Sequence, residues 1–405
     1  GIAFGSTLSF LPVYATRVGA AGWQIALLSA GPALISIFLT MPAGRWLEQR
    51  SQQDALGSAV TTAAMWQRLG LLLLVPLPFL VPSSYQFWVV LLLVILMAVP
   101  GTAMMVGFNA LLAATVPAEY RGTVVGRRNA ILAATIMVSF LCSGWLLDQL
   151  TFQAGYSIVF AVGALGAVMS TLHVSRIRTI AIPDFQGRPL NEHAQTGRVI
   201  GFSGGIPQRV SVGKRLMIGK RPSSTKITRR FWLATGAFFL LHFTQLLPTA
   251  IFPLFWVWEV SLSDGQIGWL NATMCLAMLA TAPLLAPLTA RYGNFRLTVA
   301  GALLLCLYPL LSALSAGYLL LLAASISGGA VWAILSGAQI NRLLELSPED
   351  SRPSHLALYN LAFNVAMLTG ALLGPPLAAI VGLREALLIV AVLRIGSGLV
   401  LARWG

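Results

Sequence analysis

The chain has 405 residues, of which 57% are hydrophobic and only 9% are charged. A soluble domain carries about 25% charged residues because its surface faces water, so this composition excludes an ordinary soluble protein. The formal net charge of +14 would suggest nucleic acid in a soluble chain. Here the basic residues are spread over turns between apolar runs, which is the pattern of membrane loops and not of a nucleic-acid surface.

Apolar runs of about 20 residues are long enough to cross a hydrocarbon core about 30 Å thick. A β-barrel would alternate apolar and polar positions, whereas Leu69–Leu80, Val89–Val99 and Leu319–Ala324 are nearly unbroken. Helices are therefore expected. In chain order they fall at 1–16, 23–47, 56–80, 86–115, 126–148 and 155–175, then at 231–258, 265–290, 296–316, 319–345, 355–380 and 384–403. The chain opens on Gly1 inside an apolar run with no cleavable signal, so the first helix is expected to be truncated.

Residues 176–230 divide the two sets. They hold twelve Lys or Arg, two acids and no long apolar run, and read as a flexible basic linker. The domains are thus an N-terminal six-helix bundle (1–175), the linker (176–230) and a C-terminal six-helix bundle (231–405). With the linker on one side of the membrane, that side collects 22 of the 26 basic residues. Without the linker the ratio is still 10 to 2. The positive-inside rule then places the linker and both termini in the cytoplasm of a multi-pass cell-membrane protein.

An internal repeat accompanies this division. Gln24-Ile25 recurs as Gln266-Ile267, 242 positions later, and Pro117, Arg121 and Asn129 recur at the same spacings as Pro348, Arg352 and Asn360, 231 positions later. Two ordered echoes point to duplication. The fold class expected is all-α and integral to the membrane, twelve transmembrane helices forming two related bundles.

The stretch Gly44-Arg45-Trp46-Leu47-Glu48-Gln49-Arg50-Ser51 resembles the signature after the second helix of the major facilitator superfamily: a glycine, an acid four residues on, then basic residues. The second half keeps Arg291-Tyr292-Gly293 and Arg296, with Ala290 where the acid would stand. The Arg121-Gly122 turn and the run from Gly370 to Gly374-Pro375 are also similar to that superfamily. Helix 5 departs from its drug antiporters, with Ser143-Gly144-Trp145 in place of a Gly-Pro motif.

The resemblance implies two bundles rocking about a central cavity lined by helices 1, 4, 7 and 10. Polar side chains on those helices are the substrate-binding candidates. Helix 7 carries His242, Gln245 and Thr249 at spacings of three and four, extended by Phe238 and Phe252. Helix 4 offers Thr102, Met105 and Asn109, helix 10 Trp332, Ser336 and Gln339, helix 1 Ser6 and Ser9, and helix 11 Asn360 and Asn364. Helix–helix hydrogen bonding accounts for the same residues equally well. Gly44, Arg45, Glu48, Arg50, Arg121, Arg291 and Arg352 are the gating candidates, with topology and helix capping as the plainer account.

No Asp or Glu lies mid-membrane in this sequence. His242 is left as the candidate for a coupling proton, another ion being the alternative. Arg68 and Arg394 lie within helices 3 and 12, where snorkelling or helix pairing is expected. Asp148 and Glu259, near helix ends, read as solvated surface. The three cysteines lack ligand spacing and the four histidines are scattered, so neither a metal, a cofactor nor a disulfide framework is expected. Catalytic motifs for hydrolysis or nucleotide binding are missing from the sequence. A monomeric secondary transporter of a small molecule in the lipid bilayer is the resulting expectation. A nontransporting receptor or assembly protein on the same fold is the alternative.

Overall fold

The computed structural model describes residues 1–52, 56–116, 118–176, 228–348 and 352–405. Nearly all of the basic linker between the halves lies outside them.

 Among the described residues every regular element is a helix, as hydrocarbon demands of a backbone that has no water to bond to.

Twelve helices result. In the first half α1 is Ser9–Arg17, entered through a π-helical turn Phe4–Leu8, and α2 is Gly22–Gln52. Next come α3 (Leu56–Leu74), α4 (Ser83–Thr115), α5 (Ala118–Gln149) and α6 (Phe152–Ser175). The second half opens with α7, which starts as Arg229–Leu246, tightens to a 3-10 turn at Leu247–Thr249, and resumes at Ile251–Leu254 and Phe255–Glu259. Then α8 runs Asp264–Thr281 and Leu285–Tyr292, and α9 runs Asn294–Leu304 and Leu307–Ala313. The last three are α10 (Tyr318–Leu346), α11 (Arg352–Val381) and α12 (Leu383–Trp404). Ten of the described helical segments are long and apolar enough to cross a bilayer; α1 and α3 complete the twelve.

Several elements differ from the sequence expectation, helix 8 among them, which is interrupted by a 3-10 turn at Ala282–Leu284. The Gly44–Ser51 signature is not a loop, because α2 continues through Gln52. Helix 7 is not one straight rod, and neither is helix 9. Proline explains both breaks: it has no N–H, so the carbonyl four residues earlier loses its donor. Pro248 strands the Thr244 carbonyl, and Pro309 strands that of Leu305.

Arg394 of α12 takes up both. Its Nη1 donates to Leu305 O at 2.8 Å, its Nε to Thr244 O at 3.4 Å and its Nη2 to Gln245 O at 3.2 Å. The residue is 3% exposed, so it does not snorkel to water as expected. It is a donor cluster spent on backbone acceptors that the two kinks leave open. Arg68 of α3 is held in a related way, donating to Ala167 O at 3.3 Å and to Gln67.

The two halves share one core at the end of the bundle away from the linker. There Phe10, Tyr14, Phe140, Tyr156 and Phe160 of the first half join Ile251, Phe255, Ile267 and Leu387 of the second. At the linker end the described clusters stay within a half: Leu47, Leu56 and Val60 in the first, Phe231, Phe238, Leu335 and Tyr359 in the second. The halves meet through α5 against α8 and α2 against α11.

Replacing Arg394 by Leu removes the donors for two buried carbonyls, each worth about 1–3 kcal/mol when left unmet. A markedly lower melting midpoint in detergent is expected. Adding Pro309→Ala, which returns an N–H to Leu305 O, should recover part of the loss; equal midpoints with and without it would show that the carbonyl account is wrong.

Candidate functional site

On α7, His242 is buried, and its Nε2 shares a hydrogen bond of 2.7 Å with the Tyr359 hydroxyl of α11. Its ring also meets Phe363 edge-on, 4.8 Å between centroids. The helix–helix bonding that competed with substrate binding is thus realised at one nitrogen. The other, Nδ1, is buried without a hydrogen bond, as are Gln245 Oε1 on the same helix and Gln339 Oε1 on α10. Unmet buried polar atoms are costly; Thr235 Oγ1 and Arg342 Nε of the second half and Thr7 Oγ1 of the first are left open in the same way.

Other candidates divide. Phe238 packs on Tyr359 and Phe252 on Trp256 and Tyr308. Thr249 is exposed, because the 3-10 turn at Leu247–Thr249 breaks the regular spacing that would have aligned it with His242 and Gln245. Thr102 points to α2, its hydroxyl 3.2 Å from Ser36 Oγ, while Met105 is exposed. Ser336 is buried with a long bond to Ala333 O (3.4 Å), and Trp332 packs on the cluster that holds Phe231 and Tyr359. Asn364 donates to Asn360 O at 2.8 Å, and both are half-buried. Ser6 is buried and bonded to Ile2 O, whereas Ser9 is half-buried.

Of the gating candidates, Gly44 has open space where a Cβ would stand. Arg45 is exposed. Arg50 lies over the Trp46 ring and Arg291 over Tyr292. The side chains of Glu48, Asn109, Arg121 and Arg352 lie outside the described residues, so the pairing expected of Glu48 has no geometry to report.

The ordered polar contact between the halves is at the opposite end, and sequence reading missed it. Arg17 at the end of α1 donates to Asp264 Oδ1 through Nη2 (3.1 Å) and Nε (3.3 Å), and to Leu262 O at 2.5 Å. Tyr156 of α6 donates to Asp264 Oδ2 at 3.1 Å. Asp148 at the end of α5 accepts from Ser263 Oγ at 2.8 Å and from the Gly265 N–H at 2.9 Å. Its carboxylate therefore sits on the N-terminal turn of α8, where free N–H groups and the helix dipole favour an anion. Asp148 is not the merely solvated carboxylate expected. Glu259 is likewise paired, 3.6 Å from Arg384.

Three glycines let this latch close. A Cβ at Gly268 would stand 2.7 Å from Phe140 O, and one at Gly144 would stand 2.9 Å from Asp264 O. At Gly265 it would meet the Asp148 carboxylate. Backbones of α5 and α8 touch because these positions carry no side chain. The Gly370–Gly374 run does the same for the broken part of α7: a Cβ at Gly374 would run into Leu247 O. A signal for the latch was present in the sequence. Ser263 and Gln266 form a capping box that opens α8, and such a start offers N–H groups to an outside carboxylate.

Two helical halves, each with its own core at one end and latched together at the other, define a polytopic membrane protein of the two-bundle transporter architecture. The chain belongs to the Major Facilitator Superfamily, whose profile matches residues 1–257 and again 234–405. No match is found among curated proteins. Among solved structures, the chain is similar to a bacterial homologue of the iron transporter ferroportin in an inward-facing state, at 12% identity and a TM-score of 0.73, covering 100% of this chain and 95% of that one. It is similar to the nucleoside transporter NupG at 13% identity and 0.67, covering 100% and 95%. The xylose transporter XylE from E. coli, inward open, matches at 14% identity and 0.67, covering 100% and 93%. At these identities the likeness concerns the fold.

Gly268→Val should force α5 and α8 apart at the latch, since the contact it meets is backbone. Spin labels on the ends of α5 and α8 are expected to show a longer mean separation, with the native distance population reduced at least fivefold, about 1 kcal/mol. An unchanged distance distribution would mean that the close approach does not hold the halves together.

Proposed function

We propose that this chain is a secondary active transporter that carries a small solute across the cell membrane by alternating access, and that it catalyses no chemical reaction. The observation that carries this reading is the asymmetry between the two ends. Both halves contribute to one core and one polar latch at the far end, while their described cores stay separate at the linker end. The positive-inside count supports a cytoplasmic linker, so the arrangement corresponds to an inward-facing state. Charge-assisted hydrogen bonds are worth about 1.5–3 kcal/mol each, and a factor of ten in a two-state equilibrium takes about 1.4 kcal/mol. Arg17–Asp264 and Asp148–Gly265 are therefore sufficient to bias the population, provided both are lost when the far end opens.

The solute site is placed along α7 and α10, with His242, Gln245, Gln339, Ser336 and Trp332 as its core. Asn109 and Thr102 of α4 and Asn360 and Asn364 of α11 are its further candidates, and Thr249 is its weakest member. His242 is the candidate for a coupling proton. Gly44, Arg45, Glu48, Arg50, Arg121, Arg291 and Arg352 are assigned to closure of the linker end in the opposite state. The working unit is a monomer in the bilayer.

A thermal-shift screen of the purified protein against sugars, amino acids, organic anions, nucleosides and drugs should yield a stabilising solute, which proteoliposomes then take up. His242→Ala and Gln245→Ala are each expected to weaken its binding about tenfold, the loss of one good hydrogen bond. If neither changes the affinity, the site is not on α7. If no solute moves under any ion gradient while a partner protein copurifies, the nontransporting receptor replaces this reading.

A further inference from the structure

The linker end of the second half holds a basic cavity that solute transport does not use. The first turn of α7, the first turn of α9 and the last turns of α10 and α12 enclose about 570 Å³, with Arg229, Arg230, Arg342 and Arg403 on its walls beside Phe295 and Trp404. Four guanidinium groups on three of these helices repel one another unless an anion lies between them. Among the described residues, Glu345 is the acid paired here: it accepts from Arg342 Nη1 at 3.2 Å and from Asn294 Nδ2 at 2.6 Å. Counting side chains, that leaves an excess of three positive charges on the walls. Arg342 lies over the Phe295 ring, 4.9 Å from its centroid, and its Nε is buried without a hydrogen bond. Both Nη groups of Arg342 are engaged, Nη2 donating to Gly405 O at 2.9 Å. The exposed guanidiniums of Arg229, Arg230 and Arg403 are therefore the ones open to a phosphate group, which accepts parallel bonds from an arginine fork.

Position selects the source of that phosphate. Four membrane-spanning segments begin or end at this cavity: Arg229–Glu259, Asn294–Ala313, Tyr318–Leu346 and Leu383–Trp404. It therefore sits where hydrocarbon gives way to water. Trp404 is 41% exposed at its rim, and Leu233, also on the wall, is 41% exposed one turn further into the span. An aromatic at the interface and an apolar strip below it match a headgroup with acyl chains attached. A soluble phosphate would use the arginines and leave that strip bare.

We propose that this cavity binds the phosphate headgroup of an anionic membrane phospholipid, held by Arg229, Arg230 and Arg403 with the Arg342 charge behind them, and with its acyl chains along the Leu233 side of α7. The site ties the start of α7 to the ends of α10 and α12, and its occupant comes from the leaflet and not from the transport path.

The test uses the full chain, purified and delipidated in a neutral detergent. Phosphatidylglycerol should raise the melting midpoint by about 3–6 °C in a saturable way, and native mass spectrometry should show one tightly retained phosphatidylglycerol. Phosphatidylcholine, inorganic phosphate and glycerol 3-phosphate should give less than a third of that shift. The pair Arg230→Gln and Arg403→Gln should abolish most of it, whereas Arg127→Gln with Arg176→Gln, which removes two guanidiniums from the same end of the first half, should leave it intact. Several results would overturn the proposal. An equal shift with the soluble phosphates would make this a soluble-anion site. An equal loss in both double variants would reduce it to general surface charge. No shift and no retained lipid in the wild-type chain would remove the site, even if the Arg230/Arg403 variant fails to fold.

Discussion

A peptide group without a partner in hydrocarbon costs several kcal/mol, and each unusual feature of this fold is an answer to that cost. Straight helices satisfy themselves. Pro248 and Pro309 interrupt them and leave two carbonyls open in the interior of the second half. Arg394, 3% exposed, donates to both. A buried guanidinium with no carboxylate beside it would ordinarily be hard to explain; here the acceptors are the backbone itself. The kink in α7 is thus anchored to α9 and α12, and the Gly370–Gly374 run lets α11 press against the same kink.

The second dependency is between the halves. Helices in lipid gain little from hydrophobic contact, so close approach and hydrogen bonds decide which surfaces stay together. At the far end both are present: backbone contact at Gly144 and Gly268, and carboxylates on the first turn of α8. Under the proposed alternating access such a contact suits a moving interface, since its polar groups can be taken up by water on opening. The core of the second half at the linker end is built from Phe, Leu and Tyr of that half.

Much of this was legible in the residues. Apolar length gave the spans, because crossing a bilayer sets a minimum run. The Gln-Ile and Pro–Arg–Asn echoes gave the duplication, and the Gly44–Ser51 stretch pointed to the family that the whole chain then matched. Site residues were less legible. His242 stood out as an imidazole in an apolar helix, yet its bond to Tyr359 joins positions 117 apart, and no local spacing encodes that. Thr249 was placed on the same face by counting, and counting fails where a proline tightens the helix.

What the sequence determined by itself is the set of properties that depend on local chemistry: helices long enough to span a bilayer, and their number. Tertiary structure alone decided which groups are spent and which are open. Arg394 reads as a snorkelling cation until the two stranded carbonyls are brought beside it, and Asp148 reads as solvated until the start of α8 arrives. The physical reason is that a polar group's role in a low-dielectric interior is set by its partner, and these partners are more than a hundred residues away, except for one at 89.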